Sequence, residues 1–442
     1  MSRICDDPQT KESPSVKVCS LQKKIMDANE WNSQFFASLI KMVSSYSSFL
    51  TTITATARTL HKASEEVSSS KQSSVFLPAR VLILSKMTKL EFIKSKCRSL
   101  TTNELKAFIR QRGMNYAELK KKDMHHQQYV EAMKDVLKSY GIESRCVGRD
   151  RYSDVAIAWA DVIFSAGGDG TFLLAASKIK DHKPVIGFNT DHLRSEGHLC
   201  VTGKSNMPVR ESIDRLLRGK FRWIWRQRIR VTFPKWIEEG IESSEAEEMS
   251  EKSPELKKAR LFRNDSFDPS VPLLALNDVF IGESHAARVS SYDLQVDDGE
   301  MEHQKSSGLV VCTGTGSTSW HYNINRMSGR HISDILTVMK DMKICDRKVT
   351  AEMISEICHR QNEKLIFDPE SLNLAYTVRD PVENSTYHLK HTRGFAEKIR
   401  VRSRGSNAHL IIDGSISVPF NYGTEVLLEI SSGEPLRTVV FS

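Results

Sequence analysis

A buried strand, a glycine turn and a helix follow one another between residues 159 and 180, and this succession constrains the fold most strongly. The run WADVIFSA (159–166) is typical of a strand buried on both faces, and the turn GGDG (167–170) leads into a helix-like segment. Glycines at such a turn let phosphate groups approach backbone amides, because no Cβ atom is in the way. The carboxylate of Asp169 would there bind Mg²⁺ or accept a proton from an attacking hydroxyl group, unless it merely bonds the backbone of a tight turn.

The elements around this turn alternate between strands and helices. A long charged, glycine-poor segment predicts helices over 102–140, and apolar runs predict three further strands, RVLILS (80–85), GIESRCV (141–147) and KPVIGFNT (183–190). Alternation at this spacing indicates a parallel sheet with right-handed crossovers. Ligands bind at the carboxyl ends of strands in such sheets, where the GGDG turn lies. We therefore expect a Rossmann-like α/β domain over residues 79–220.

The second half of the chain changes to short strands separated by Gly and Asp turns. FRWIWRQRIRVTF (221–233) alternates apolar and basic residues as one antiparallel strand would, and Asp298-Gly299 is typical of a hairpin turn. We expect an all-β domain over residues 221–442 with two insertions. One is acidic (236–268), and the other has a helical pattern of apolar residues (326–365).

Composition excludes several classes of function. The net charge of +8 is mild for a chain of this length and suits an anionic small ligand such as a nucleotide. It is too small to indicate nucleic-acid binding, for which a clustered basic face would be expected. The eight cysteines form no CxxC pair and no metal-ligand spacing, so they indicate thiols in a reducing compartment, and we assign no metal ligand. No apolar run reaches the roughly 18 residues that span a membrane, so we expect no membrane partner.

The N-terminal segment, residues 1–78, is predicted to be disordered or to act in targeting. Residues 31–64 contain no acidic residue and are rich in serine and threonine, which is the composition of a transit peptide that lies inside the chain. A disordered tail and organelle targeting both remain open from composition alone.

Two other glycine-rich stretches fail as nucleotide motifs. GHLCVTGKS (197–205) has five residues between its glycines where a P-loop has four, and GTGSTS (314–319) ends in serine where a dinucleotide fingerprint has glycine. The adjacent His125 and His126 lack a third ligand at metal spacing, and we interpret both as solvated helix residues.

Three further motifs accompany the GGDG turn. Asn277-Asp278 opens an apolar strand, SSGLVVCTGTGSTSW (306–320) carries a strand into a loop rich in hydroxyl groups, and Asp413-Gly414 closes another strand. Each alone has an ordinary explanation as a turn. Their joint order from residue 80 to the C-terminus resembles the NAD kinase family, and GGDGTFLLAASK and KSSGLVVCTGTGS look like its mitochondrial branch.

This resemblance implies a Rossmann-like domain followed by an all-β domain, with a nucleotide between them. It implies transfer of the ATP γ-phosphoryl group to the 2′-hydroxyl of the adenosine ribose of NAD, with Asp169 as catalytic proton acceptor. Mg²⁺ with ATP, inorganic polyphosphate as another donor, a homodimer and the mitochondrial matrix are implied as well, with the cytoplasm as the alternative location. The implied nucleotide-binding residues are Gly167, Gly168, Gly170, Thr171, Asn277, Asp278, Ser307, Thr315, Gly316, Ser317, Thr318, Ser319, Trp320, His321, Tyr322, Asn323, Asp413 and Gly414.

The chain departs from the family pattern at two of these motifs. Ser307-Gly308 stands where most members have Asp-Gly, and Ser319-Trp320 stands where most have Ala-Tyr. Two alternatives to an NAD kinase therefore remain at this point. One is a catalytically silent sensor of NAD(H) or NADP(H), and the other is a lipid or sugar kinase that shares the GGDGT loop.

Overall fold

The computed structural model describes six segments of the chain, residues 76–205, 207–236, 268–285, 287–344, 349–383 and 392–441. The expected targeting segment, residues 1–78, lies almost wholly outside these residues, and so does nearly all of the expected acidic insertion. No helix in the described segments is long and apolar enough to cross a membrane.

The first half contains the parallel sheet that the sequence predicts. Its four strands lie in the order β2-β1-β3-β4 and all pair in parallel. They are β1 (Arg80–Ser85), β2 (Glu143–Val147), β3 (Val162–Gly167) and β4 (Val185–Asn189). The helices of this half are α1 (Lys89–Lys96), α2 (Thr102–Gln111), α3 (Tyr116–Ser139), α4 (Asp154–Trp159), α5 (Asp169–Ala176) and α6 (Val209–Leu217).

Helices cover both faces of this sheet, which explains why its strands are apolar without alternation. Val81 of β1 packs in a cluster with Met133 of α3, whereas its neighbour Leu82 packs in a second cluster with Phe172 of α5. Successive side chains of a strand point to opposite faces, so each face needs its own apolar partner. The prediction of a two-sided buried sheet is confirmed.

The second half is a β-sandwich of two six-stranded sheets, with strand orders β10-β9-β14-β17-β6-β7 and β13-β12-β11-β8-β15-β16. Buried residues of both sheets form one core, for example Val401 and Leu428 with Leu309 and Leu410. The strands are β6 (Ile229–Lys235), β7 (Leu273–Ala275), β8 (Asp278–Glu283), β9 (Ser290–Val296), β10 (Glu302–Ser306), β11 (Gly308–Cys312), β12 (Leu374–Arg379), β13 (Arg393–Ala396), β14 (Lys398–Ser403), β15 (Ala408–Ile412), β16 (Ile416–Pro419) and β17 (Glu425–Ile430). The expected fold class, an α/β domain followed by an all-β domain, is confirmed.

The expected helical insertion, residues 326–365, contains α8 (Gly329–Asp341) and α9 (Ala351–Glu363). The short helix α7 (Trp320–Asn325) precedes it, within the stretch that the sequence suggested to be a loop. The hairpin at Asp298-Gly299 is also present, because β9 and β10 pair as antiparallel neighbours on either side of it. Asp297 takes a φ of 52° there, and the backbone N–H of Gly299 donates to the carbonyl of Val296.

The prediction of one strand over 221–233 is wrong. The segment breaks between β5 (Phe221–Arg226) and β6, and the two strands join different sheets. β5 pairs with the last strand, β18 (Leu436–Phe441), as a two-stranded ribbon. The break is fixed by contacts outside the segment, because the backbone N–H of Gln227 donates to the carbonyl of Pro369. Arg228 donates from Nε to the carbonyl of Glu434 and from Nη1 to that of Ile179.

The β5–β18 ribbon packs onto the core of the α/β half. Val439 lies in the cluster that contains Phe164 and Ile186, and Leu436 lies in the cluster of Leu82 and Phe172. The C-terminal strand therefore completes the hydrophobic core of the first half of the chain.

We predict that Leu436→Ala lowers the free energy of unfolding by about 2–5 kcal/mol, because it leaves a cavity in this core. Val440→Ala on the same strand should change it by less than about 0.5 kcal/mol, since Val440 is 37% exposed. Denaturant unfolding of both variants checks the prediction, and equal effects would contradict it.

Candidate functional site

The GGDG turn joins the end of β3 to the start of α5, with Gly168 at the N-cap position. A Cβ atom on Gly167 would lie 2.2 Å from Oγ1 of Thr171, and one on Gly168 would lie 2.7 Å from Oγ of Ser195. A Cβ atom on Gly170 would meet no atom within 4 Å. Packing against Thr171 therefore requires a glycine at 167, a side chain at 168 would only need the Ser195 hydroxyl to rotate, and Gly170 faces open space.

The Asp169 carboxylate is held by backbone amides from a distant segment. The N–H of His198 donates to Oδ2 at 3.2 Å, and the N–H of Leu199 donates to Oδ1 at 2.8 Å. The stretch 197–205 thus acts as a support for this carboxylate. Asn189 of β4 fixes that support, because its Nδ2 donates to the carbonyl groups of Ser195 and Gly203.

Lys86 and Thr190 flank the turn at the carboxyl edge of the parallel sheet. The N–H of Lys86 donates to the carbonyl of Ala166, and the N–H of Thr190 donates to that of Gly167. The Lys86 side chain is half-buried, and burial lowers its pKa although the charge of Asp191 acts in the opposite direction. In the described part of the chain no carboxylate forms an ion pair with it.

The prediction that both adjacent histidines are solvated is wrong for His126. His125 is exposed, but His126 is only 2% exposed and lies against the sheet. Its Nε2 lies 2.8 Å from Oγ of Ser85, and its Nδ1 lies 3.0 Å from Oγ1 of Thr190. Burial and the charge of Lys86 lower the pKa of His126 to about 4, so the imidazole is neutral at neutral pH. It ties helix α3 to the strand ends beside the turn.

Asp413 brings the motif at the end of the chain to the Asn277-Asp278 pair. Its carboxylate accepts hydrogen bonds from the backbone N–H groups of Leu276 at 2.9 Å, Asn277 at 2.7 Å and Asp278 at 3.2 Å. Asp413 and Gly414 have φ angles of 48° and 63°, the left-handed region that an Asp-Gly turn accommodates. Two motifs that are far apart in sequence therefore form one unit.

The hydroxyl-rich loop after β11 lies against the same pair. Thr313 donates from Oγ1 to the carbonyl of Leu276 at 2.6 Å, and Asn277 donates from Nδ2 to Oγ of Ser319 at 3.3 Å. A Cβ atom on Gly316 would lie 2.1 Å from the carbonyl oxygen of Asn277, so only glycine permits this approach. Oδ1 of Asn277 is buried without a hydrogen-bond partner.

The remaining predicted residues continue from this loop. Ser317 donates from Oγ to the carbonyl of Gly314, and Nδ2 of Asn323 donates to the carbonyl of Ser319. The ring of Trp320 lies 4.9 Å from that of Phe280, and Thr318 and Tyr322 are half-buried.

His321 and Ser307 contact strand β12, at Thr377 and Arg379. Nδ1 of His321 lies 3.3 Å from Oγ1 of Thr377, and burial lowers the pKa of His321 to about 4. Ser307 lies between β10 and β11, where its N–H donates to the carbonyl of Arg379. No described hydrogen bond joins Ser307 to the other motifs.

Arg226 contacts the candidate site but is not among the residues that the family resemblance implies. It is 9% exposed, and its Nη1 lies 3.3 Å from Oγ1 of Thr315. Burial lowers its pKa to about 10, while the negative charges of Asp169, Glu370 and Asp368 act to raise it. Arg226 thus contacts the loop after β11, and the negative charge of Asp169 in the GGDG turn acts on it. The alternation of β5 is the available signal, because Arg226 shares the buried face of the strand with Ile224.

The environment of the Asp278 side chain disfavours the ionised form of its carboxyl group. It is 8% exposed, and burial together with the nearby Asp413 raises the pKa of its carboxyl group to about 7. Asp278 is therefore partly protonated near neutral pH before a ligand binds.

We predict that Asp278→Asn stabilises the fold more at pH 8 than at pH 5. Because the folded pKa lies above the unfolded value near 4, the favourable contribution of the protonated form is complete below pH 4 and is lost as the pH rises towards 7. The variant cannot ionise, so its gain in unfolding free energy should be larger at pH 8 by on the order of 2 kcal/mol. Thermal unfolding at both pH values measures this gain. A gain that is the same at both, as expected for the exposed control Asp341→Asn, would contradict the prediction.

NAD kinases are found among the protein families and the solved structures that this chain resembles. The model of the ATP-NAD kinase N-terminal domain matches residues 95–221. Among solved structures, an NAD kinase from Archaeoglobus fulgidus in complex with ATP is 16% identical, with a TM-score of 0.46, and the match covers 82% of this chain and 93% of that chain.

Two mitochondrial NAD kinase 2 proteins are more similar to this chain in sequence than that solved structure is. NAD kinase 2, mitochondrial, from Rattus norvegicus is 38% identical over 378 residues, which cover 83% of this chain and 88% of the relative. The protein of the same name from Homo sapiens is also 38% identical, over 83% of this chain and 85% of the relative. These names confirm the expected mitochondrial location, although residues 31–64 lie outside the described part of the chain. The protein belongs to the NAD kinase family, in the branch of the mitochondrial NAD kinase 2 proteins.

Proposed function

We propose that this NAD kinase transfers the γ-phosphoryl group of ATP to the 2′-hydroxyl of the adenosine ribose of NAD, with Asp169 as the proton acceptor. The observation that carries the assignment is the orientation of the Asp169 carboxylate by two backbone amides beside an open glycine turn. Family membership favours a kinase over a silent sensor or a lipid kinase.

A ribose hydroxyl group is too weak an acid to ionise at neutral pH, so its proton needs an acceptor as it attacks. A carboxylate has about four lone-pair positions, and the amides of His198 and Leu199 occupy two of them. The others remain for the hydroxyl group. As the bond from the 2′-oxygen to the γ-phosphorus forms, the bond from that phosphorus to the bridging oxygen of ATP breaks. The proton passes to Asp169 and ADP leaves.

The second half of the site would hold NAD. The buried Oδ1 of Asn277 lacks a donor, and the Asp278 carboxyl group lies beside it at the start of β8. A buried acceptor without a partner is unfavourable, so a ligand N–H or O–H group that reaches Asn277 would stabilise the complex. The backbone of both residues is fixed by Asp413, which supports a preformed site.

Mg²⁺ belongs to the proposal as a companion of ATP. No group of three His, Cys, Asp or Glu side chains at metal-binding distance occurs among the residues that the structure describes. Kinases commonly hold Mg²⁺ through one or two carboxylates together with the phosphates of the substrate, and the Asp169 side of the site fits that arrangement. When bound, the ion would neutralise phosphate charge, and inorganic polyphosphate would offer the same phosphate groups as a donor.

A homodimer in the mitochondrial matrix completes the proposal. Helix α8 exposes Ile335, Val338 and the nearby Met342 by 48%, 55% and 65%, which is the kind of apolar surface that a subunit contact covers.

We expect Asp169→Asn to lower kcat for NADP formation by about two to four orders of magnitude, because the amide accepts no proton. Binding of NAD should remain within about threefold of the parent, since the other half of the site is unchanged. Steady-state kinetics and calorimetric titration with NAD measure the two effects. Asp154→Asn is the matched control, because Asp154 is also the first residue of a helix but is exposed. A variant that retains the kcat of the parent would refute the assignment.

Gly170→Ala tests whether the open space at the turn is used by substrate. The added methyl group meets no protein atom, so the melting temperature should stay within about 2 °C of the parent. The KM for ATP should nevertheless rise by roughly tenfold or more, because a methyl group there would stand between the donor phosphates and the turn. Unchanged kinetics would show that the substrate does not approach Gly170.

A further inference from the structure

We propose that Arg226 is a further catalytic residue, whose guanidinium group contacts the phosphoryl group while it passes from ATP to NAD. The inference deepens the NAD kinase reaction proposed above and rests on it. Arg226 is not among the nucleotide-binding residues that the family resemblance implies, although its segment FRWIWRQRIR (221–230) looks like the mitochondrial branch. It lies outside the matched segment 95–221.

The guanidinium group is buried with very few partners. Arg226 is 9% exposed, and Thr315 is its only hydrogen-bond acceptor among the described residues. Nε is fully buried and bonds nothing. No carboxylate of the described segments reaches ion-pair distance from it. A buried cation is costly unless it is paired, so this arrangement favours an anionic ligand that completes the pairing.

The charge of Arg226 is present at neutral pH despite this burial. Asp169, Glu370 and Asp368 act on it from beyond ion-pair distance and partly offset the desolvation. A pKa of about 10 leaves the group protonated throughout the physiological range. The site therefore holds a permanent cation beside Thr315, and the carboxylate that is proposed to accept the proton acts on it electrostatically.

The backbone on both sides of Arg226 is fixed. The N–H of Trp225 donates to Oε1 of Glu370 at 2.9 Å, and the N–H of Gln227 donates to the carbonyl of Pro369 at 2.9 Å. A Cβ atom on Gly314 would lie 2.0 Å from the carbonyl oxygen of Asp368, so the loop before Thr315 packs against this same segment. A donor held in this way needs little reorganisation when charge develops on a substrate.

The chemistry of the reaction explains the need for such a group. Negative charge on the oxygens of the transferred phosphoryl group must be stabilised in the transition state, and catalysis consists mainly of positioning and charge stabilisation. A planar guanidinium group offers several N–H donors that match two phosphoryl oxygens at once, which a lysine cannot do. The competing role for Arg226 is structural, namely neutralising the three nearby acids.

Arg226→Met and Arg226→Lys test the inference against the matched control Arg222→Met. Arg222 lies on the same strand and forms an ion pair with Glu370, but 64% of its side chain is exposed. We expect Arg226→Met to lower kcat by about a hundredfold or more and to leave the Kd for NAD nearly unchanged. Arg222→Met should stay within about threefold of the parent in both quantities.

Chemical rescue separates contact with substrate from a structural role. In Arg226→Ala, millimolar guanidinium chloride should restore part of the lost kcat in a saturable manner, because the small cation can occupy the vacated place beside the phosphoryl group. Alkylammonium of the same concentration should restore less, since it lacks the planar set of donors. A structural role predicts no such selective rescue.

Each outcome decides the inference. Arg226→Met with a kcat within about threefold of the parent would overturn it, and so would losses of kcat and NAD affinity in parallel without rescue. If Arg226→Met does not fold, Arg226→Lys decides, because a normal kcat would overturn the contact and a selective loss of kcat would support it. If neither the parent nor Arg222→Met makes NADP, the proposed function itself fails, and this result is distinguishable from a failure at Arg226.

Discussion

The site depends on one buried carboxylate, that of Asp413, and on the three backbone N–H groups that it binds. These hydrogen bonds fix the backbone at the start of β8. They also fix the carbonyl group of Leu276, which accepts a hydrogen bond from the hydroxyl group of Thr313. Asp413 also interacts electrostatically with Arg228, whose guanidinium group bonds the carbonyl of Ile179 behind helix α5. Through its hydrogen bond to Ile179, Arg228 connects the start of β6 in the β-sandwich to the α/β half of the chain.

Elements that are defined by their own apolar pattern could be predicted from the sequence. β1, β3 and β4 are continuous apolar runs because helices cover both faces of their sheet, and this burial is encoded locally. β10 could not be found in this way, since EHQKS is polar and becomes a strand only by pairing with β9. The break at Gln227 likewise depends on the carbonyl of Pro369, which lies more than one hundred residues further along the chain.

The candidate site likewise has features that the local sequence predicts and features that depend on tertiary contacts. Glycine turns and Asp-Gly pairs carry a local signal, and the structure brings Asn277, Asp413 and the loop at Thr315 together as their order suggests. The amides that bind the Asp169 carboxylate belong to the stretch 197–205, which resembles a P-loop only superficially. The sequence around Asp169 contains no signal that predicts these hydrogen bonds. The burial of Arg226 could not be predicted either, because it depends on tertiary contacts. The alternation of buried residues along β5 is the local signal for it.

The arrangement of charge follows from the substrates. ATP and NAD are both anionic, so a site that joins them must overcome their mutual repulsion. Cations that were already paired with carboxylates would offer little attraction to either. Lys86 follows β1 of the parallel sheet and Arg226 ends β5 of the ribbon that packs on the same half, and neither forms an ion pair within the described residues. Backbone amides orient the Asp169 carboxylate, so under the proposed reaction the positive charges of Lys86 and Arg226 would remain for phosphate.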